Sequence, residues 1–256
     1  MVKIIVLVLA VVIPLLPLGV WASHAIEGFA QAGDRLAVYL YFPARAFALV
    51  GFVMMFYQFI LSARISFLEH LFSRPKLVKN HRTLGKIGFI LILLHGILMI
   101  ATDFADFGAL TFTWQKLVGM LALFLLMIGV IAAWFFKALD FSVKTWKKIH
   151  LLAYVAFPLA FLHAITIGIT LRQSPAITML YTILFGWYLA IVAIRLFGAG
   201  RGVFGPSPSG AQKPGPRPAR PAANASKKPT SSTQRSEPAR PAGASGSETE
   251  RLGDDS

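Results

Sequence analysis

Six apolar runs, each long enough or nearly long enough to cross a lipid bilayer, dominate the first 197 residues of this 256-residue chain. The chain is 56% hydrophobic and only 14% charged, which is too apolar for a water-soluble domain of this size. A hydrocarbon core of about 30 Å requires about 20 mostly apolar helical residues. The predicted spans are residues 2–21, 37–61, 83–101, 114–136, 150–171 and 176–197. Because these runs are longer than barrel strands and lack alternating polarity, we predict an all-α membrane protein, a six-helix transmembrane bundle.

The formal net charge of +14 is concentrated in two of the loops between these spans. The basic residues of these loops are Arg64, Arg74, Lys76, Lys79, Arg82, Lys137, Lys144, Lys147 and Lys148. The positive-inside rule places both loops in the cytoplasm and therefore both termini as well. The charge thus indicates topology and attraction to anionic lipid rather than nucleic-acid binding. We expect an integral protein of a bacterial inner (plasma) membrane.

The first span admits a second interpretation. Lys3, the apolar run and the small residues Ala22, Ser23 and Ala25 together resemble a secretory signal. Cleavage there would leave the other five spans oriented as before, so charge alone does not decide between an anchor and a signal.

Residues 198–256 differ sharply in composition from the spans. This segment is basic and rich in Pro, Gly, Ala and Ser, with almost no large apolar residues. It cannot bury a core, so we predict a six-span domain over residues 1–197 and a disordered cytoplasmic tail over 198–256. The stretch GAGRGVFG at 198–205 resembles a phosphate loop only superficially, because it lacks a preceding strand and a following helix.

Four of the six histidines lie near the ends of two spans. His81 and His95 are fourteen residues apart in the third span, and His150 and His163 are thirteen apart in the fifth. Each pair is separated by about 20 Å along its helix. Since both spans run from inside to outside, His81 faces His150 at the inner level, and His95 faces His163 at the outer level. Two facing imidazoles are the axial ligands of a six-coordinate haem iron, so the pattern predicts two stacked haem b sites between the third and fifth helices.

The absence of cysteine restricts the cofactor chemistry further. It excludes disulfides, thiolate-bound iron–sulfur clusters and covalent attachment of haem through thioethers. Any redox group must therefore be bound by other ligands.

The spacing in the fifth span presents a geometric difficulty. At about 100° per residue, thirteen steps leave two side chains about 140° apart around a straight helix. Pro158 lies between His150 and His163 and cannot donate a backbone hydrogen bond. We therefore predict a distortion of this helix at Pro158.

Cationic side chains near the two levels are candidates to bind haem propionates. Arg45 lies about 12 Å inside the second span, where a charged side chain is costly and has a partner as a rule. We assign it to the outer haem, with snorkelling to the interface as the alternative. At the inner level the candidates are Arg82 and Lys147, followed by Lys86 and Lys148.

Together, the six spans, the motifs NHRTLG at 80–85 and WKKIHLLAY at 146–154, and the paired histidines resemble the ferric reductase-like transmembrane domain. NADPH oxidases, ferric reductases and the haem subunit of the bacterial methionine sulfoxide reductase system share this domain. The resemblance implies that His81 and His150 bind the inner haem and that His95 and His163 bind the outer one. It makes Arg45 similar to the second-helix arginine of the oxidases. The methionine sulfoxide reductase subunit typically has arginine where His81 stands, so the chain is more similar to the two-haem oxidases.

The tail differs from the oxidase pattern. It is too short and too polar to be the flavin and nicotinamide domain of those enzymes, so we expect no intrinsic FAD or NADPH site. The electron donor is then a separate flavin reductase or membrane quinol.

The sequence thus predicts an oxidoreductase component that moves electrons through two haems, with no catalytic side chain of its own. The outer acceptor is ferric ion, dioxygen or a periplasmic redox protein. Asp103 and Asp106 could attract a cationic acceptor, although acidic loop residues are more often simply solvated. Two alternatives remain open. The first is a quinol-linked cytochrome b anchor subunit of a larger enzyme. The second is a haem-free channel or transporter that uses the histidines as a proton relay.

Overall fold

The computed structural model of the protein describes residues 1–135 and 138–198. This part of the chain is helical and contains no strand. Its helices are α1 (Val2–Ala30), α2 (Leu36–Ser62), α3 (Ser66–Leu71), α4 (Arg74–Phe107), α5 (Trp114–Trp134), α6 (Val143–His150), α7 (Leu152–Ile167), α8 (Ile169–Gln173) and α9 (Pro175–Gly198). The predicted tail after residue 198, and with it the proposed domain division, lies outside the described residues.

Six segments are long and apolar enough to cross a membrane, as the sequence predicted. They are α1, α2, α4, α5, the combined α6 and α7, and α9. The principal difference is length, because α4 extends well beyond the predicted 83–101 at both ends. Its 34 residues are about 50 Å long, so the helix exceeds the hydrocarbon core and carries its polar ends into the interfaces.

Helix α2 lies at the centre of the bundle. Just over half of its apolar window is buried, whereas the other spans are mostly exposed to the lipid. Its aromatic side chains pack against α7 and α9: the Phe52 ring stacks on Phe157 at 4.8 Å and on Tyr181 at 4.5 Å. Phe59 makes edge contacts with Phe157 and Tyr188. A smaller cluster of Phe89, Leu126 and Ala156 joins α4, α5 and α7.

The fifth span is interrupted at Leu151, and this position corrects our prediction of a distortion at Pro158. Pro158 lies inside α7, which continues through it, whereas α6 ends at His150. The Leu151 amide is shared between the carbonyls of Lys147 and Lys148, and the Tyr154 amide donates to Leu151. These bonds to the third preceding residue mark a tightened turn, in which each residue advances about 120° instead of about 100°. The extra rotation reduces the angular mismatch between His150 and His163.

Pro158 has a different effect, which α9 compensates. A proline cannot donate to the fourth preceding carbonyl, which here belongs to Tyr154. The Tyr188 hydroxyl donates to this oxygen at 2.6 Å. A side chain of α9 therefore satisfies the carbonyl that Pro158 leaves free, as membrane interiors require.

We predict that Tyr188→Phe lowers the free energy of unfolding by about 1–2 kcal/mol, because the Tyr154 carbonyl loses its partner. In a Pro158→Ala background the restored amide can satisfy that carbonyl, so the same substitution should cost much less. Denaturation in detergent of both single variants and the double variant measures this coupling. Tyr39→Phe, whose hydroxyl bonds Gly33 at an exposed site, is the control. Equal costs in the two backgrounds would contradict the pairing.

Candidate functional site

The four span histidines form two facing pairs. His81 of α4 and His150 at the end of α6 form the inner pair, with ring centroids 6.3 Å apart and planes inclined at 73°. His95 of α4 and His163 of α7 form the outer pair, also at 6.3 Å, with planes inclined at 59°. The structure thus brings together the same partners that the sequence paired.

The spacing within each pair suits a metal between the rings. A ring nitrogen lies about 1.1 Å from its centroid and a metal–imidazole bond is about 2.0–2.1 Å long, so two rings on opposite sides of one iron have centroids about 6.3 Å apart. Both observed distances match this value. Helix α4 packs on α2 and α7 packs on α5, whereas α4 and α7 have little direct contact.

Both outer histidines are oriented by backbone carbonyls of neighbouring helices. His95 Nδ1 lies 3.0 Å from the Ala44 carbonyl of α2, and His163 Nδ1 lies 2.8 Å from the Gln115 carbonyl of α5. A carbonyl only accepts, so each Nδ1 carries the proton and each Nε2 is left with a lone pair for a metal. Such bonds from a ligating histidine fix its tautomer and orientation. The sequence did not identify these acceptors.

Gly119 provides the space in which the His163 ring lies. A Cβ atom at this position would be 2.6 Å from His163 Nδ1 and 2.9 Å from its Cγ. Any larger residue would therefore displace the ring from the Gln115 carbonyl one turn earlier on α5. Sequence reasoning missed Gly119, since a glycine in an apolar helix gives no indication of what packs against it.

The inner histidines form no hydrogen bond as well made as those of the outer pair, although the backbone of Gln58 lies near His81. Within the part of the chain that the structure describes, Nδ1 of His81 and Nδ1 of His150 are buried without a hydrogen-bond partner. The Gln58 side-chain oxygen is buried and unsatisfied in the same way. The Trp146 ring stacks on that of His150, with 5.8 Å between the ring centroids. The two levels therefore differ in how firmly their rings are held.

Arg45 lies beside the outer pair, next to the residue whose carbonyl faces His95. It donates to the buried Thr170 hydroxyl at 2.5 Å, and its guanidinium carbon is 5.2 Å from the Tyr41 ring centroid and 5.4 Å from that of Phe42. The guanidinium is thus held among the helices rather than snorkelled to the interface.

The other predicted cations are less well placed. Arg82 and Lys147 have exposed side chains near the inner pair, as do Lys86 and Lys148. The two glycines that follow His81 by one and two turns, Gly85 and Gly88, point at Gln58 and Met54 of α2 and serve helix packing.

Asp103 does not form a free acidic surface. Its side chain is buried, and the Lys116 ammonium lies 2.7 Å from both carboxylate oxygens. The Thr111 amide and hydroxyl also donate to it, at 3.1 and 2.8 Å. This ion pair fastens the end of α4 to the start of α5, so Asp103 is already neutralised. Asp106 is exposed.

The donor set fits a macrocycle-bound iron better than a metal ion bound by protein alone. Within residues 1–135 and 138–198, no group of three or more His, Asp or Glu side chains could hold a metal ion. Each pair supplies two imidazoles on opposite sides of a gap, and a tetrapyrrole supplies the remaining four nitrogens of an octahedral iron. The residues present therefore fit haem.

The comparison with protein families supports the resemblance seen in the sequence. Residues 47–161 match the family model described as ferric reductase like transmembrane component. The match covers α2 from its fourth turn through most of α7, and it includes His81, His95 and His150 but ends before His163. No curated protein and no solved structure matches the chain. The match agrees with the predicted resemblance over residues 47–161.

We predict that Gly119→Ala removes haem from the outer level alone, because the new methyl group displaces His163. Haem b per chain should fall from two to about one, measured by pyridine haemochrome. Gly129→Ala is the matched control on α5, since the nearest atom to its added Cβ is a backbone oxygen at 3.8 Å. Full haem content in Gly119→Ala would contradict the role of this glycine.

Proposed function

We propose that this chain, whose membrane domain carries the ferric reductase-like transmembrane component, is a haem b electron-transfer protein of the bacterial plasma membrane. The proposed direction is from a cytoplasmic donor to an acceptor on the outer face. The main support is the pair of matched histidine distances, each suited to one iron. A bound haem supplies the one-electron chemistry at each level.

The chain's own residues perform three tasks in this proposal. His81 and His150 present two imidazoles at the inner level, and His95 and His163 present two at the outer level. The Ala44 and Gln115 carbonyls hold the outer rings in the ligating tautomer. Arg45 supplies a fixed positive charge beside the outer pair, suited to a propionate carboxylate.

The charge of the cytoplasmic surface suits an electron donor that is anionic or has an acidic face. Lys76, Lys79, Arg82 and Lys86 recur at intervals of three or four residues at the start of α4, and their side chains are exposed. This spacing places them on one side of the helix, as a basic stripe about 15 Å long. A separate flavin reductase with an acidic docking face fits this stripe, whereas membrane quinol does not need it.

We expect the purified protein to show a reduced-minus-oxidised spectrum of haem b with two haems per chain. His81→Ala or His150→Ala should remove the inner haem, and His95→Ala or His163→Ala the outer one. His70→Ala is the control, because His70 lies on the short helix α3 with an exposed side chain. Absence of haem from protein made with ample haem supply would reject the proposal and favour the proton relay.

A second measurement tests the donor side. We predict that Lys76→Glu with Lys79→Glu slows haem reduction by reduced FMN, whose phosphate is anionic, about tenfold at low salt. Reduction by reduced riboflavin, which lacks the phosphate, should change little. Menadiol in the bilayer serves as the quinol probe. If menadiol reduces the haems rapidly and the double variant reacts normally with reduced FMN, the quinol-linked alternative is favoured.

A further inference from the structure

Arg195 is a second arginine within the bundle, and the sequence analysis gave it no role. It lies in α9 and is half-buried. One of its terminal nitrogens donates to the Tyr154 hydroxyl, and the other donates to the Ser62 carbonyl at 2.5 Å. Its guanidinium carbon is also 5.8 Å from the centroid of the Tyr154 ring. Arg195 therefore joins α2, α7 and α9 at a single point.

This point lies at the level of the inner histidine pair. Tyr154 follows His150 by four residues, about one helical turn. Ser62 is one turn beyond Gln58, whose side chain lies against Gly85, one turn from His81. Four helices thus bring the guanidinium close to the inner pair.

No carboxylate neutralises this cation in the described part of the chain. The ion pairs found there are Arg74 with Glu69 and Lys116 with Asp103. A guanidinium has five N–H donors, and the two bonds to Tyr154 and Ser62 leave three for another acceptor. A charged side chain inside the membrane is costly and is a candidate functional site, and the three donors left over suit a negatively charged ligand. The missing partner is therefore an anion.

We propose that Arg195, oriented by the Tyr154 hydroxyl, binds a propionate carboxylate of the inner haem. The inference rests on the proposed function and gives the inner level a counterpart of Arg45, which is likewise held by a hydroxyl and by aromatic rings. It replaces Arg82 and Lys147 as the principal anion ligand there, because their side chains are exposed to solvent. Planar guanidinium suits carboxylate geometry better than a lysine ammonium does.

The test compares haem with its dimethyl ester, which has the same ring and iron but no carboxylate. Full-length His95→Ala protein, prepared without haem, offers the inner level alone for titration. With Arg195 present, haem should bind at least tenfold more tightly than the diester. Arg195→Gln should remove that preference while leaving diester affinity unchanged within about twofold. Arg195→Lys should retain part of the preference, and Arg172→Gln, at the other end of the bundle, should retain all of it.

If Arg195 only holds the helices together, Arg195→Gln should lower the affinities for haem and for the diester equally. That result would overturn the proposed contact between Arg195 and the propionate but leave the proposed function intact. If neither haem nor the diester binds, the contact and the proposed function are both overturned. Potentiometry of the full chain with both haems gives an independent measure. Loss of a positive charge beside the inner haem favours its oxidised form, so the reduced-to-oxidised ratio at fixed potential should fall about tenfold, equivalent to about 59 mV for one electron. An unchanged midpoint potential of the inner haem in Arg195→Gln would contradict the proposed contact.

Discussion

Hydrogen bonds from side chains of one helix to backbone carbonyls of another connect this bundle. Tyr181 donates to Leu49, Tyr188 to Tyr154, and Trp21 to Phe42. The bonds from the outer histidines to the carbonyls of α2 and α5 belong to the same class. Water is absent from the hydrocarbon region, so each such donor has few alternatives to the carbonyl it meets. The interactions that fix the helices against one another are therefore also those that orient the site.

The contacts between helices differ on the two sides of the bundle. Aromatic rings of α2, α7 and α9 fill one side, where Phe52 and Phe59 contact Phe157, Tyr181 and Tyr188. The side between α4 and α7 is bridged mainly by imidazoles. The packed aromatic core on the first side keeps the helices that carry the histidines in fixed positions.

Hydropathy and charge were sufficient to predict the six spans, and residue spacing was sufficient to pair the histidines. These features depend on the length of the apolar runs and on the number of residues between the histidines, both of which can be read from the sequence. The break at Leu151 was placed wrongly at Pro158, because a shared amide hydrogen bond has no residue signature whereas proline has a strong one. Gly119, Arg195 and the carbonyl acceptors were missed for a related reason: each acts through a residue distant in sequence. Asp103 was misjudged because its partner, Lys116, lies across a loop.

The two carbonyls that orient the outer histidines have a consequence for biogenesis. His95 depends on α2, which is synthesised before it, whereas His163 depends on α5, also synthesised earlier. Each outer ring therefore meets its acceptor as soon as its own span enters the membrane. In the described chain the inner histidines make no hydrogen bond of this quality, and Arg195 is contributed by α9, the last of the described spans. The outer histidine pair is thus complete with its acceptors once α7 has inserted, whereas the guanidinium of Arg195 joins the inner level only with α9.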